Sequence, residues 1–267
     1  MPSASISERR SIRWVPEPAS EPTSTLVLTS PGSHFVDIRV LKLSYFKQPK
    51  FANDSSSTAR IDWAFAGQSH SEKATTEGAA SHGRWEHWVD SRSDDPQVDE
   101  GDMFPQPSGL VLEKGRGPHP TTGEITDYEE TWRDLKIQST DDEDKKCAIV
   151  LRTAGNNKDS IGMVVRVGSW CQGIIKSGGN LHVERWRWRS RDTYAPVSVG
   201  AIIGSEDDSG GWSVQTFPTE SGTWERVVGM GRGTLPCPLT FKPEGLEQGQ
   251  TTDVGDITWE VIERSEW

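Results

Sequence analysis

"HVERWRWRS", residues 182–190, alternates Trp and Arg along a run that carries no helical period. Three readings compete for it: a nucleic-acid contact, an anion clamp, or one strand of a core whose two faces do different work. Side chains on a strand point alternately to opposite faces, so Trp186 and Trp188 share one side and Arg185, Arg187 and Arg189 the other. Which side is inside follows from "RIDWAFAGQ", residues 60–68, where Ile61, Trp63 and Phe65 form the apolar set and Asp62 and Ala64 the other. Laid on that stretch, Trp186 and Trp188 face a core, and the arginines face solvent or a seam between two halves. A slip of one residue would invert the assignment.

The match belongs to a longer series. "LVLTS" (26–30) pairs with "IVLRT" (149–153), "FVDIRV" (35–40) with "GMVVRV" (162–167), and "IDWAF" (61–65) with "ERWRW" (184–188). "GRWEHWV" (83–89) then pairs with "GTWERVV" (222–228), and "ETWRDL" (130–135) with "ITWEVI" (257–262). The order is the same in both halves, and the offsets differ only by loop-sized insertions. A tandem duplication of a strand-rich unit follows. Two antiparallel meanders of this kind avoid exposed edges by closing. The expected fold is therefore all-β: two tandem lipocalin-like (calycin-type) antiparallel β-barrels, residues 1–140 and 147–267. The charge run "STDDEDKK", residues 139–146, reads as a solvated linker between them.

Composition narrows the function classes. The chain of 267 residues carries a formal charge of −11, which argues against a nucleic-acid partner and gives no reason for an anionic membrane surface. No apolar run approaches the ~20 residues of a membrane-spanning helix, and "MPSASISERRSIRW" at the start lacks the apolar centre of a secretory signal. The three cysteines, Cys147, Cys171 and Cys237, have no metal-pair spacing and suit buried thiols in a reducing cytoplasm. Asn53-Asp54-Ser55 fits a glycosylation sequon but reads as a polar loop.

Twelve Trp in so polar a chain point to aromatic-rich interiors, either plain core or a cavity wall. The candidate substrate-binding set is Trp63, Phe65, Trp85, Trp132, Trp186, Trp188, Trp224 and Trp259, drawn from the duplicated strands. Polar residues on the same faces are His87 beside Trp85, Tyr128 and Asp134 beside Trp132, and Arg226 beside Trp224. His87, Tyr128 and Arg226 are the candidate hydrogen-bond donors or acids. His82 and His87 are five apart and so face opposite sides of a strand, which speaks against a shared metal, and no metal or cofactor is expected. No phosphate loop, nucleophile elbow or zinc pattern is present.

The strings "SIRWVPEPASEPTSTLVLTSPGSHFVDIRVLK" (11–42), "IDWAFAG" (61–67), "TGEITDYEETWRDL" (122–135) and "HVERWRW" (182–188) resemble a fungal cytosolic family named for interaction with a budding-yeast casein kinase. The resemblance implies two lipocalin-like barrels. Some filamentous-fungal relatives, from tropolone–sesquiterpene gene clusters, are hetero-Diels–Alderases that join a tropolone-derived o-quinone methide to a humulene-type sesquiterpene. The resemblance therefore implies a cofactor-independent pericyclase of secondary metabolism with hydrophobic small-molecule substrates, and it assigns no residue. A cycloaddition needs two apolar partners held in one orientation, a donor on the tropolone oxygen in a dry site, and an acid to assist loss of water. His87, Tyr128 or Arg226 would donate.

The alternative is a non-catalytic member of the same double-barrel family, binding a small ligand or, through the Arg185/Arg187/Arg189 face, a protein. Phosphorylation of the loop "NDSSST" (53–58) belongs to that alternative. Unmatched segments such as "SGGWSVQTFPTE" (209–220) leave a homodimer open.

Overall fold

The computed structural model describes residues 3–46, 58–95, 97–155, 159–191, 205–206, 212–213 and 215–267. The sequon at Asn53, almost all of "NDSSST" and the first part of "SGGWSVQTFPTE" lie outside the described residues. Among those described, the chain is nearly all β-strand. No helix is long and apolar enough to cross a membrane.

The first half is a closed antiparallel barrel in which every strand pairs with its neighbour in sequence. Its strands are β1 (Ser5–Trp14), β2 (Thr23–Thr29), β3 (His34–Leu41), β4 (Ile61–Glu72), β5 (Ser81–Asp90), β6 (Val98–Pro105), β7 (Val111–Pro118) and β8 (Ile125–Asp134). β3 stops at Leu41, and the chain turns into a one-turn helix, α1 (Leu43–Phe46). β8 returns to pair with β1, so the barrel leaves no edge exposed.

The second half contributes β9 (Cys147–Thr153), β10 (Ser160–Val167), β11 (Trp170–Ser177), β12 (Asn180–Ser190), β15 (Thr216–Pro218), β16 (Gly222–Gly231), β17 (Thr251–Val254) and β18 (Ile257–Glu266). They form one sheet in the order β15-β16-β12-β11-β10-β9-β18-β17, a half-barrel, beside a separate two-stranded ladder of β13 (Ser205–Glu206) and β14 (Trp212–Ser213). β11 and β12 meet through Gly178-Gly179, both at positive φ, as a two-residue hairpin of this twist requires.

The topology sharpens the duplication. β1-β2-β3-β4-β5 closed by β8 corresponds to β9-β10-β11-β12-β16 flanked by β18. The matches of β4 with β12, β5 with β16 and β8 with β18 hold at the level of strands. A shared bulge fixes the second of these: His87 sits opposite Gly67 with Trp88 skipped, and Arg226 opposite Trp186 with Val227 skipped. Trp85 and Trp224 are therefore true counterparts. The same bulge pairs Trp63 with His182 rather than with Trp186, a four-residue offset that keeps the face. The first two matches are one strand out of step: "LVLTS" is in β2 and "IVLRT" in β9, the counterpart of β1. These strands read alike because they share one burial environment.

That environment is the seam. On β2 to β5, Leu26, Leu28, Val36, Ile38, Val40, Ala64, Ala66 and Val89 point out of the barrel and form one apolar cluster with Ala148, Val150, Met163, Val165, Val167, Ile174 and Val183 of the second half. Each Val, Leu, Ile or Met side chain so buried contributes about 1.5–3 kcal/mol. Arg185 reaches into the seam and donates to the Ile38 carbonyl at 2.7 Å, and Gln172 Nε2 donates to the Leu26 and Val36 carbonyls at 2.9 Å each. Of the three arginines in the opening motif, Arg185 is the seam residue. Arg187 is exposed and lies over the Trp170 ring, and Arg189 pairs with Glu225. The acidic run at 139–146 is also tied down: Glu143 accepts from Arg166 at 2.7 Å, and Asp142 from the Ser221 amide at 2.9 Å. The run is anchored at Glu143, because Arg166 is fully buried and requires the carboxylate, while Asp141, Asp142, Asp144 and Lys145 stay exposed.

Candidate functional site

The two interiors differ in kind. In the second half, Trp186, Trp188, Trp224 and Trp259 are buried in one apolar cluster with Cys171, Cys237 and Phe241. A 3-10 helix, Cys237–Phe241, enters this interior and stacks Phe241 on Trp224 at 4.3 Å and 4°. These tryptophans are packed against the chain itself. Arg226 lies at their margin, 5.9 Å from the Trp186 ring, and donates to Glu184 at 3.1 Å. All three cysteines are buried free thiols.

The interior of the first barrel is built on charge. Arg9 on β1 donates to Glu130 on β8 and to Glu21, the latter at 3.0 Å. Arg39 on β3 donates to Asp37 at 2.9 Å and to Glu130 at 3.1 Å. Burial alone would raise the Glu130 pKa, but Arg39 and Arg9 outweigh it and hold the carboxylate below its ordinary range. For Asp37 burial wins, and its pKa is raised in spite of Arg39. Its Oδ1 atom is buried without a hydrogen-bond partner.

An aromatic group adjoins Arg39. The guanidinium lies 5.0 Å from the Trp63 ring and 5.4 Å from Phe65. His87 stacks on Phe65 at 4.2 Å, and its Nδ1 lies 2.7 Å from Asp90, which also accepts from Trp63 Nε1 at 2.9 Å. Nε2 of His87 has no hydrogen-bond partner, and its nearest carboxylate, Asp99 on β6, is 3.7 Å away. Burial raises the Asp99 pKa, whereas for Asp90 the hydrogen bonds from His87, the Arg92 amide and Trp63 overcome burial and lower it.

Glu113 on β7 completes the interior. Trp132 Nε1 donates to its Oε2 at 2.9 Å, and the Tyr128 hydroxyl lies 3.0 Å from Oε1. Burial, and then the charge of Glu130, push Glu113 up to about 8, so it holds its proton at neutral pH. Tyr128 is raised as well, by burial and by Glu113, and stays neutral. Two glycines make room for these groups. A Cβ on Gly115 would fall 2.4 Å from the Tyr128 hydroxyl, and one on Gly101 would fall 2.9 Å from Glu113 Cγ.

Of the residues expected from sequence, Trp63, Phe65, Trp85, His87, Tyr128 and Trp132 all line the first interior. Trp186, Trp188, Trp224, Trp259 and Arg226 belong to the second. The three candidate catalytic residues are therefore split, His87 and Tyr128 against Arg226. Sequence reasoning passed over Arg9, Asp37, Arg39, Asp90, Asp99, Glu113 and Glu130. The signal was present in "FVDIR", where charges alternate with apolar residues, and in "YEETW", where Glu130 shares a face with Tyr128 and Trp132. His82 faces outward, away from His87, as their spacing requires.

Trp63, Trp85, Asp99 and Tyr128 keep partial exposure. A hollow of about 170 Å³ adjoins Arg9, Glu21, Thr23 and Thr25. Another, of about 380 Å³, lies on the outer surface between residues 16–19 and Leu112 and touches none of the aromatic set.

A family model described as Protein HRI1 matches residues 5–263. Protein HRI1 of Saccharomyces cerevisiae strain S288c is 24% identical over 262 residues, covering 91% of this chain and 92% of that protein, and the same holds for strain Lalvin QA23. The crystal structure of the uncharacterized protein YLR301w from the same yeast superposes with a TM-score of 0.65 at 19% identity, over 98% of this chain and 99% of that one.

Proposed function

This chain belongs to the HRI1 family, and we propose that its N-terminal barrel is a cofactor-independent catalyst that ionises a hydroxymethyl-tropolone and joins the product to a humulene-type alkene. The observation that carries the reading is Glu113: a buried carboxylic acid that keeps its proton at neutral pH, tied to Tyr128 and Trp132 and facing an aromatic wall. An acid of this kind suits a step in which a hydroxyl must leave as water.

In the proposed reaction Glu113 gives its proton to the hydroxymethyl oxygen, the C–O bond breaks and water departs. The ring hydroxyl then returns a proton to the Glu113 carboxylate, which leaves a neutral o-quinone methide and restores the acid. His87, stacked on Phe65 and held by Asp90, orients the ring. The alkene adds across the diene with one new C–C bond and one new C–O bond, and no proton moves. The Trp63, Phe65 and Trp132 faces hold both partners and exclude water. Arg226, in the other half, takes no part.

The test is turnover of these two substrates by the purified chain. Product of one configuration above the uncatalysed rate is expected, and Glu113→Gln should slow it by about 10²–10⁴-fold. Product at the background rate and of mixed configuration would overturn the proposal.

A further inference from the structure

The first lumen contains more acid than base. Arg9 and Arg39 are its guanidiniums, and each already bridges two carboxylates: Glu21 and Glu130 for Arg9, Asp37 and Glu130 for Arg39. Asp90 and Asp99 lie beyond them, and Glu113, which holds its proton, adds no charge. Arg92 stacks on Trp63 at 4.5 Å from the half-exposed side, where it is held by Asp62. Among the described residues, two atoms of this interior are left without a hydrogen-bond partner. They are Asp37 Oδ1 and His87 Nε2, on residues that are 2% and 5% exposed. In the tautomer that gives Nδ1–H to Asp90, Nε2 presents a lone pair toward Asp99, whose side chain is about one-third exposed. Buried acceptors of this kind call for a donor, and a surplus of carboxylates calls for positive charge.

The aromatic walls agree. Trp63 and Phe65 already hold one cation, Arg39, against their faces, and Trp85 stands opposite Asp99 in the β5–β6 register with part of its surface free. Aromatic faces beside carboxylates form the usual cage for an organic ammonium.

We infer that the part of the lumen between His87, Asp99 and Trp85 is a binding site for an aryl-bearing organic cation with an N–H donor. The inference rests on the first barrel being the ligand site, as in the reaction proposed above, and not on the cycloaddition. The two meet at one point, since a leaving hydroxyl builds positive charge on the ring system it departs from.

The probe is benzylamine, a cation at neutral pH, titrated calorimetrically into the full chain beside benzyl alcohol, which offers a donor without charge, and phenylacetate, which inverts the charge. Benzylamine should bind about tenfold more tightly than benzyl alcohol, and phenylacetate should not bind. Asp99→Asn should remove most of that preference, while Glu100→Gln, on the outer face of the same strand, should leave it intact. Should Asp99→Asn fail to fold, His87→Gln replaces it with the same expectation. Equal binding of the amine and the alcohol, no amine binding, or a preference unchanged in these variants would overturn the inference. Amine binding without turnover of tropolone and alkene would remove the reaction and keep the site. Turnover without amine binding would do the reverse.

Discussion

Glu113 and Glu130 face the same lumen and end in opposite protonation states. Glu130 has two guanidiniums within hydrogen-bond reach, whereas Glu113 has an indole and a phenol. Neutral donors satisfy lone pairs but do not offset the desolvation of a charge. A pH signature follows. With its folded value near 8 against an ordinary value of 4.5, Glu113 binds a proton in the native state that the unfolded chain has already released between those limits. Stability should therefore fall as pH rises through that window. Glu113→Gln should flatten the slope in urea titrations across the window, and an unchanged slope would return Glu113 to an ordinary ionised carboxylate.

At the scale of elements, β6 and β7 are shaped by what crosses the lumen from β8 and β7. Gly115 lies opposite Tyr128 in the ladder, where the phenol folds over the bare backbone. Gly115→Ala should displace the ring from Glu113 and lower stability by about 1–3 kcal/mol through overpacking. Gly117→Ala on the same strand is the control, since its Cβ would meet nothing nearer than 3.8 Å. Equal effects in denaturant unfolding would mean that the Gly115 clearance is incidental. In the second half the corresponding element is the 3-10 helix at Cys237–Phe241, which fills with Phe241 the space that the first barrel leaves to charged groups.

Across the whole molecule, the apolar core lies between the halves as much as inside them. Ile6, Leu28, Val36 and Ile38 from the first half share one cluster with Val150, Met163, Val165 and Ile174 from the second. Separating the halves would expose that face together with the Arg185 and Gln172 anchors. The intact chain should thus melt in one calorimetric transition, and residues 1–140 alone should bind a hydrophobic dye and aggregate. Two independent transitions, or a well-folded isolated first half, would show that the seam is only a contact.

The alternation of "HVERWRWRS" by itself determined that its tryptophans and arginines lie on opposite faces, and the duplicated Trp strands determined that two all-β units follow one another. Both are local properties, since a strand's period is two whatever it packs against. Six of the eleven candidate site residues fall together in one lumen for the same reason. What they meet there was a tertiary matter. Arg9, Arg39, Glu113 and Glu130 lie on different strands, and a charge on a strand ordinarily faces water. Only closure of the barrel turns those faces inward and makes each charge a partner of the next. Likewise, nothing local distinguishes a tryptophan lining a lumen from one packed under Phe241, because both are an indole on the inner face. Which of the two it becomes depends on whether another part of the chain fills the space in front of it.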